Sequence, residues 1–154
     1  MSRRDQIRLS EAEALELLEA ERTVICATNG HDGWPHLMPL WYVVREGTVW
    51  AWTYAKSQKV RNLERDRRAT LQVETGTEYH ELRGVMLRTE ATIHRDEEVV
   101  VRFGAELTAR YAGTGVDPEE FTDVVRKQAA KRVALEFVER DRATWDHRKL
   151  AGVY

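Results

Sequence analysis

The sequence predicts a mainly β fold with added helices, in the form of a six-stranded Greek-key barrel. Three observations support this prediction. Short segments rich in β-branched and aromatic residues alternate with Gly, Asn and Asp turn signals, which is typical of hairpin-connected strands. The helical segments fall between these strands rather than in a separate block. The 154 residues match the usual size of one domain, so we expect a single domain over residues 1–154.

The first half of the chain predicts a helix followed by a β-meander. Ser10 and Glu13 have the spacing of a capping box, which predicts a helix over Glu11–Ala20. Glycine-containing turns then separate three predicted strands. These strands cover Thr23–Ala27, Leu37–Val44 and Thr48–Thr53.

The second half adds three strands and three helices. Ser57 is a predicted N-cap, and the spacing of the apolar residues after it predicts a short helix over Ser57–Arg65. Two longer helices are predicted from Asp96 to Tyr111 and from Asp117 to Lys131. The remaining strands are predicted at Ala69–Glu74, Leu82–His94 and Val133–Val138.

The composition argues against several functional classes. A net charge of −2 disfavours a nucleic-acid partner, and no apolar run reaches the roughly 20 residues of a membrane helix. The charged N-terminus lacks an apolar signal segment, so we expect a cytoplasmic protein. The single cysteine, Cys26, is expected to be a buried core thiol. The histidines have no metal-ligand spacing, so no metal site is expected.

The segment around Ser57 has the features of an anion site. The strand ending at Trp52 and Thr53 leads into a helix whose first N–H groups lack intrahelical partners and carry partial positive charge. Ser57 adds a hydroxyl and Lys59 adds a point charge suited to phosphate. Six Lys and Arg residues stand against two acidic residues in 56–68. Charge alone favours a solvated helix face, but the position at a strand-to-helix junction directly after Trp52 and Thr53 favours phosphate binding.

The order of these residues resembles a known family. The pattern Gly33-x-Pro35-His36-Leu37-x-Pro39, then Trp41-Tyr42, then Thr53-x-x-x-Ser57-x-Lys59-x-x-Asn62-Leu63 is similar to the pyridoxamine 5'-phosphate oxidase-like FMN-binding split-barrel superfamily. Within it, the closer similarity is to the flavin- and deazaflavin (F420)-dependent oxidoreductases. The resemblance implies a homodimeric split β-barrel that binds a flavin-type cofactor and a small-molecule substrate.

The resemblance also implies which residues bind the cofactor. Ser57, Gln58 and Lys59 match the family's phosphate contacts, and Asn62 matches a polar contact one turn further along. His36, Leu37, Met38 and Pro39 match the strand whose backbone lies against the tricyclic ring. Trp52 and Thr53 match the strand end beneath the ribityl chain.

Two departures from the family pattern argue against pyridoxamine phosphate as the substrate. Pro39 has no N–H to offer, where some relatives place an amide side chain. Trp41 and Tyr42 follow where the family oxidase has a second basic residue. The ring of such a cofactor carries the hydride itself, so no catalytic acid or base is assigned. Tyr42, Tyr79 and His80 could donate protons, although packing or surface roles are the ordinary expectation for them.

Three functions remain open at this point. The first is an oxidoreductase that uses reduced F420 to reduce a small unsaturated molecule. Lys56, Arg61 and Arg65 favour it, because F420 carries a polyanionic tail. The second is an FMN-dependent oxidase or reductase of the same fold, and the third is a non-catalytic flavin-binding protein.

The C-terminal tail, Ala143–Tyr154, contains more large side chains than is usual at a chain end. Leu150, Val153 and Tyr154 are expected to dock on a surface. That surface is either the partner's cofactor cleft in a dimer or the tail's own barrel.

Overall fold

The fold, given by a computed structural model that describes residues 2–150, contains one antiparallel sheet of seven strands. The strands are β1 (Val24–Asn29), β2 (Pro35–Leu40), β3 (Tyr42–Arg45), β4 (Thr48–Tyr54), β5 (Arg68–Thr75), β6 (Arg83–His94) and β7 (Arg132–Asp146). The α-helices are α1 (Arg3–Gln6), α2 (Glu11–Ala20), α3 (Gln58–Arg65), α4 (Glu97–Ala112) and α5 (Thr122–Ala129). The prediction of a mainly β fold with added helices is confirmed.

The sheet curls until its two edges meet. Its strand order is β2-β1-β5-β6-β7-β4-β3, so β2 and β3 are the opposite edges. These two strands are nevertheless consecutive in the chain, and only Trp41 separates them. The edges must therefore lie side by side at Trp41, which gives the sheet a barrel-like form.

The predicted strand count of six was too low, because one predicted strand is two. The apolar run Leu37–Val44 predicted a single strand, yet the structure divides it at Trp41. The reason is a change of pairing partner. β2 pairs with β1, whereas β3 pairs with β4. Strand propensity does not reveal such an exchange, since both halves are extended.

The last strand is longer than predicted. The prediction ended it at Val138, but β7 continues to Asp146 and pairs with β6 along its length. The residues that follow Val138 are largely charged, so the sequence pattern did not predict a strand there. In the structure they lie on the exposed part of β7. The predicted tail therefore begins inside the sheet, and residues 147–150 form a 3₁₀ turn. Lys149 contacts Glu13 and the Arg8 carbonyl of the same chain. Residues 151–154 lie outside the described part.

The helices follow their local sequence signals closely. The capping box of α2 is formed, with Ser10 and Glu13 bonded reciprocally. α3 begins directly after Ser57, as predicted. The predicted helix from Asp117 to Lys131 is divided into a 3₁₀ turn and α5. None of the helices among residues 2–150 is long and apolar enough to span a membrane.

The apolar residues form two layers, and β4 separates them. Val49 and Ala51 face the barrel interior, where they join the cluster that contains Cys26. Burial of that thiol is confirmed, and it raises the pKa of Cys26 to about 12. Trp50 and Trp52 point to the other side of β4 and pack against the layer formed by α4 and α5. β4 therefore presents different chemistry on its two faces.

Candidate functional site

The site begins at the N-terminus of α3, which is held against the end of β4. Ser57 has the extended backbone of an N-cap residue, but its hydroxyl makes no capping bond. Its Oγ is buried and has no hydrogen-bond partner among residues 2–150. The first N–H groups of a helix likewise lack intrahelical acceptors. The start of α3 thus offers several donors in one place.

Lys59 lies one residue into α3 and turns inward. Its side chain is only 6% exposed, and Nζ donates to Thr53 Oγ1 at 3.0 Å. Desolvation lowers the pKa of Lys59, because burial disfavours the charged ammonium. Within the described part of the chain, no carboxylate pairs with it. The structure therefore holds a buried cation with one hydroxyl partner and two donor positions left over.

Asn62 ties α3 to the end of β1. It is fully buried, and its Nδ2 donates to Thr28 Oγ1 at 3.0 Å. Its Oδ1 accepts a bond of 2.9 Å from Gln58 Nε2, one turn earlier. The structure thus brings together Thr53 with Lys59, and Gln58 with Asn62. The sequence analysis missed Thr28, although its place just before the Asn29-Gly30 turn was a usable signal.

β2 carries the four residues expected to line the cofactor ring. Leu37, Met38 and Pro39 are exposed on this edge strand. His36 is half-buried, opposite Thr28 in the β1–β2 register, and its Nδ1 has no hydrogen-bond partner among residues 2–150. The register therefore places the start of β2 beside the strand end that anchors Asn62.

Trp52 is separated from the other predicted site residues. Successive side chains of a strand alternate, so Trp52 and Thr53 point to opposite faces of β4. The Trp52 ring instead borders a cavity of about 550 Å³ on the outer face, whose wall also includes Pro39 and Arg132. Sequence reasoning missed Arg132, because only the β4–β7 pairing brings it opposite Tyr54.

The basic residues around α3 differ in whether they bond to other groups of the protein. Arg65 donates to the Asn29 carbonyl, and Arg68 pairs with Asp66. Lys56 and Arg61 are exposed and make no ion pair within residues 2–150. The positive surplus that remains for an anionic ligand is therefore smaller than the sequence count suggests.

The residues considered as proton donors have ordinary positions. Tyr42 is buried, and its hydroxyl donates to the Leu18 carbonyl at 2.5 Å. Burial raises the pKa of Tyr42 to about 12, so it holds the fold together rather than exchanging protons. Tyr79 and His80 are exposed in the turn before β6. No cluster of three metal-ligating side chains occurs in the described residues.

The residues at the start of α3 fit a phosphate group. A phosphate accepts several hydrogen bonds, and its negative charge balances the positive charge of a buried ammonium. Ser57 Oγ and the N–H groups of the first turn supply matching donors, and Lys59 Nζ, bonded to Thr53 at the end of β4, supplies a positive charge. Because the helix contains no acidic residue in its first turn, nothing there competes with an anion.

Comparisons with known proteins agree with the fold. The family model described as pyridoxamine 5'-phosphate oxidase matches residues 10–145. The crystal structure of conserved hypothetical protein Rv2991 from Mycobacterium tuberculosis is 40% identical, with a TM-score of 0.90 over 100% of this chain and 95% of that chain. None of the proteins with curated function matches.

More distant solved structures share the fold. One titled F420 reductase is 21% identical, with a TM-score of 0.68 over 88% of this chain and 98% of that chain. An FAD-binding protein from Mesorhizobium loti is 17% identical, with a TM-score of 0.62 over 88% of this chain and 94% of that chain. The family match spans most of the chain and includes α3 and all of the sheet except the last residue of β7. The chain therefore belongs to the pyridoxamine 5'-phosphate oxidase family.

Proposed function

We propose that this protein is a homodimeric oxidoreductase that uses reduced deazaflavin F420 to reduce a small unsaturated molecule. The observation that carries the proposal is the buried Lys59 ammonium, which has a hydroxyl partner and no carboxylate among residues 2–150. An unpaired buried cation is costly, and an anionic ligand offsets that cost. The adjacent Ser57 Oγ, buried without a partner, supports the same ligand.

Family membership supports a flavin-type cofactor. The distant structures titled F420 reductase and FAD-binding protein share this fold. The exposed side chains of Lys56 and Arg61 favour F420 over FMN, because they could contact its polyanionic tail. FMN remains the alternative cofactor, since both molecules present a phosphate to the same helix terminus.

When bound, the reduced deazaflavin supplies a hydride to the acceptor, and solvent supplies the proton that completes the reduction. The chain contributes binding and orientation. Lys59 and Ser57 would hold the phosphate, and Asn62 fixes α3 against β1. The backbone of β2 at Leu37 and Met38 would lie against the ring and shield that side of it from water. Tyr42 takes no part in proton transfer, because its hydroxyl is committed to a main-chain carbonyl.

A homodimer accounts for the apolar side chains left exposed near β2. Leu37 is 56% exposed and Trp41 is 57% exposed, and Trp34 and Met38 extend the same edge. Large apolar side chains clustered on an edge strand are typical of an interface. A second copy that covers this edge would also enclose a cofactor lying against β2.

Titration with cofactor and then turnover test the proposal. The purified protein is titrated with F420 and with FMN under fluorescence, and we expect saturation by F420 at the lower concentration. Reduced F420 is then supplied anaerobically with a panel of enones, nitroaromatics and quinones. We expect the absorbance of oxidised F420 to return only when both the protein and a suitable acceptor are present.

Each other outcome of this experiment contradicts part of the proposal. Tighter binding of FMN would assign the site to the alternative cofactor. Binding of F420 without turnover on any acceptor would indicate a non-catalytic flavin-binding protein. If neither cofactor binds, the proposed function is wrong.

A further inference from the structure

We propose that the outer cavity beside Trp52 binds a planar, anionic molecule, with Arg132 as the residue that recognises the anion. The cavity measures about 550 Å³, which is within the range of small-molecule sites. It lies between the end of β4, the corner at Trp41 and the helices α4 and α5. This cavity is on the opposite face of β4 from Lys59, so it is separate from the phosphate site.

The walls of the cavity are aromatic and flat. Trp41 stacks on Tyr111, with ring centroids 4.1 Å apart and planes inclined by 10°. Trp52 forms another wall, and Leu40 and Leu107 complete the apolar lining. Flat aromatic walls favour a planar ligand, because stacked rings gain contact area and dispersion energy.

Arg132 is the only charged residue that lines this cavity within the described part of the chain. Its guanidinium lies 4.5 Å from the Trp52 ring centroid and 4.3 Å from that of Tyr54. Its Nε is buried and has no hydrogen-bond partner, and no carboxylate among residues 2–150 pairs with it. The two rings hold the guanidinium in place while its N–H donors stay unused.

A fixed guanidinium with unused donors is suited to a carboxylate or a similar planar anion. Arginine binds such groups through paired N–H bonds, and aromatic surroundings strengthen these bonds by excluding water. Gln128 also lines the cavity and carries amide donors, whereas the Thr108 hydroxyl donates to the Gly104 carbonyl at 2.8 Å. Aromatic walls together with one guanidinium favour an aromatic or conjugated carboxylate over a neutral or cationic ligand.

Identifying this ligand as the electron acceptor rests on the proposed function. Pro39 and Trp52 line the cavity, and both match family positions that contact the cofactor. A ligand in the cavity would then lie close to the ring. The anion-binding role of Arg132 does not depend on that assignment, because it follows from the cavity alone.

Paired probes that differ only in charge test the inference. Binding of 2-naphthoate and of neutral 2-naphthamide to the full chain is measured by calorimetry. We expect 2-naphthoate to bind roughly ten- to 100-fold more tightly, as one charge-assisted contact implies. Arg132→Gln should abolish this difference, and Arg132→Lys should restore part of it. Lys127→Gln removes an exposed charge on α5 outside the cavity and should leave the difference intact.

The same variants distinguish the inference from the proposed function. Equal binding of the two probes, or a preference that survives Arg132→Gln, would overturn the inference. Loss of 2-naphthoate binding in Lys59→Met but not in Arg132→Gln would place the anion at α3 and would also overturn it. Failure of F420 and FMN to bind, with the 2-naphthoate preference intact, would remove the proposed function and leave the anion site standing.

Discussion

Replacing Lys59 with methionine separates a ligand-binding role from a structural one. Methionine keeps the length of the side chain but removes its charge and donors. Lys59 makes a single hydrogen bond of 3.0 Å to Thr53, so two of its N–H groups remain for a phosphate. Loss of charge-assisted bonding worth about 1.5–3 kcal/mol predicts roughly ten- to 150-fold weaker cofactor binding. Fluorescence titration with F420 and FMN measures this change.

The free energy of unfolding of the same variant should stay unchanged or rise while its cofactor affinity falls. Burial lowers the pKa of Lys59, so the unfolded chain binds this proton more tightly than the folded one. Below the lowered pKa, the folded protein bears the cost of burying the charge, and stability rises as pH increases towards the ordinary pKa of 10.5. Methionine removes that cost and also the bond to Thr53, which is worth about 1.5 kcal/mol. We expect unchanged or higher stability in urea at pH 7.

The combination of the two measurements makes the result decisive. Lys127→Met is the matched control, because this lysine is exposed on α5 and lies outside the segment that binds the phosphate. It should alter neither cofactor affinity nor stability. If Lys59→Met destabilised the protein while cofactor affinity stayed the same, Lys59 would be structural and the reasoning would be refuted.

Three further substitutions test the fold around the site. Tyr42→Phe removes the buried bond to the Leu18 carbonyl and should cost about 1–2 kcal/mol in urea unfolding, whereas a stability equal to that of the native protein would contradict the assigned role. Gly104→Ala should lower the free energy of unfolding by about 1–3 kcal/mol and weaken 2-naphthoate binding, because a Cβ there would overlap the Trp52 ring. Unaltered binding would show that the ring is free to move. Leu37→Glu places a charge on the exposed edge and should convert the proposed dimer to a monomer in light scattering, and a native protein that is already monomeric would disprove the proposed interface.

The parts of the fold that the sequence predicted well are determined by contacts between residues that are close together in the chain. The capping box of Ser10 and Glu13 identified α2 to the residue, because its bonds form within one turn. The start of α3 after Ser57 was identified for the same reason. Six predicted strands became seven because pairing partners change at Trp41, and this is a property of the whole sheet.

The candidate site likewise contains residues that local sequence predicted and residues that only the packing of the fold brings to it. Ser57 is the N-cap residue of the helix that contains Lys59 and Asn62, so the local sequence predicted Ser57 and Lys59 as one site, and the family resemblance added Asn62. The inward turn of Lys59 towards Thr53 was not predictable, because it depends on how α3 packs across the barrel end. Arg132 was missed entirely, since it reaches Trp52 and Tyr54 only through the pairing of β7 with β4. No local pattern records such a contact.

A crystal structure of the protein grown with F420, and another grown with FMN, tests the central claim most directly. We expect a cofactor phosphate at the first turn of α3, with its oxygens within about 3.2 Å of Lys59 Nζ and Ser57 Oγ. A phosphate bound elsewhere, for example in the groove between Arg68 and Arg88, would contradict the account. So would a cofactor whose phosphate makes no contact with Lys59.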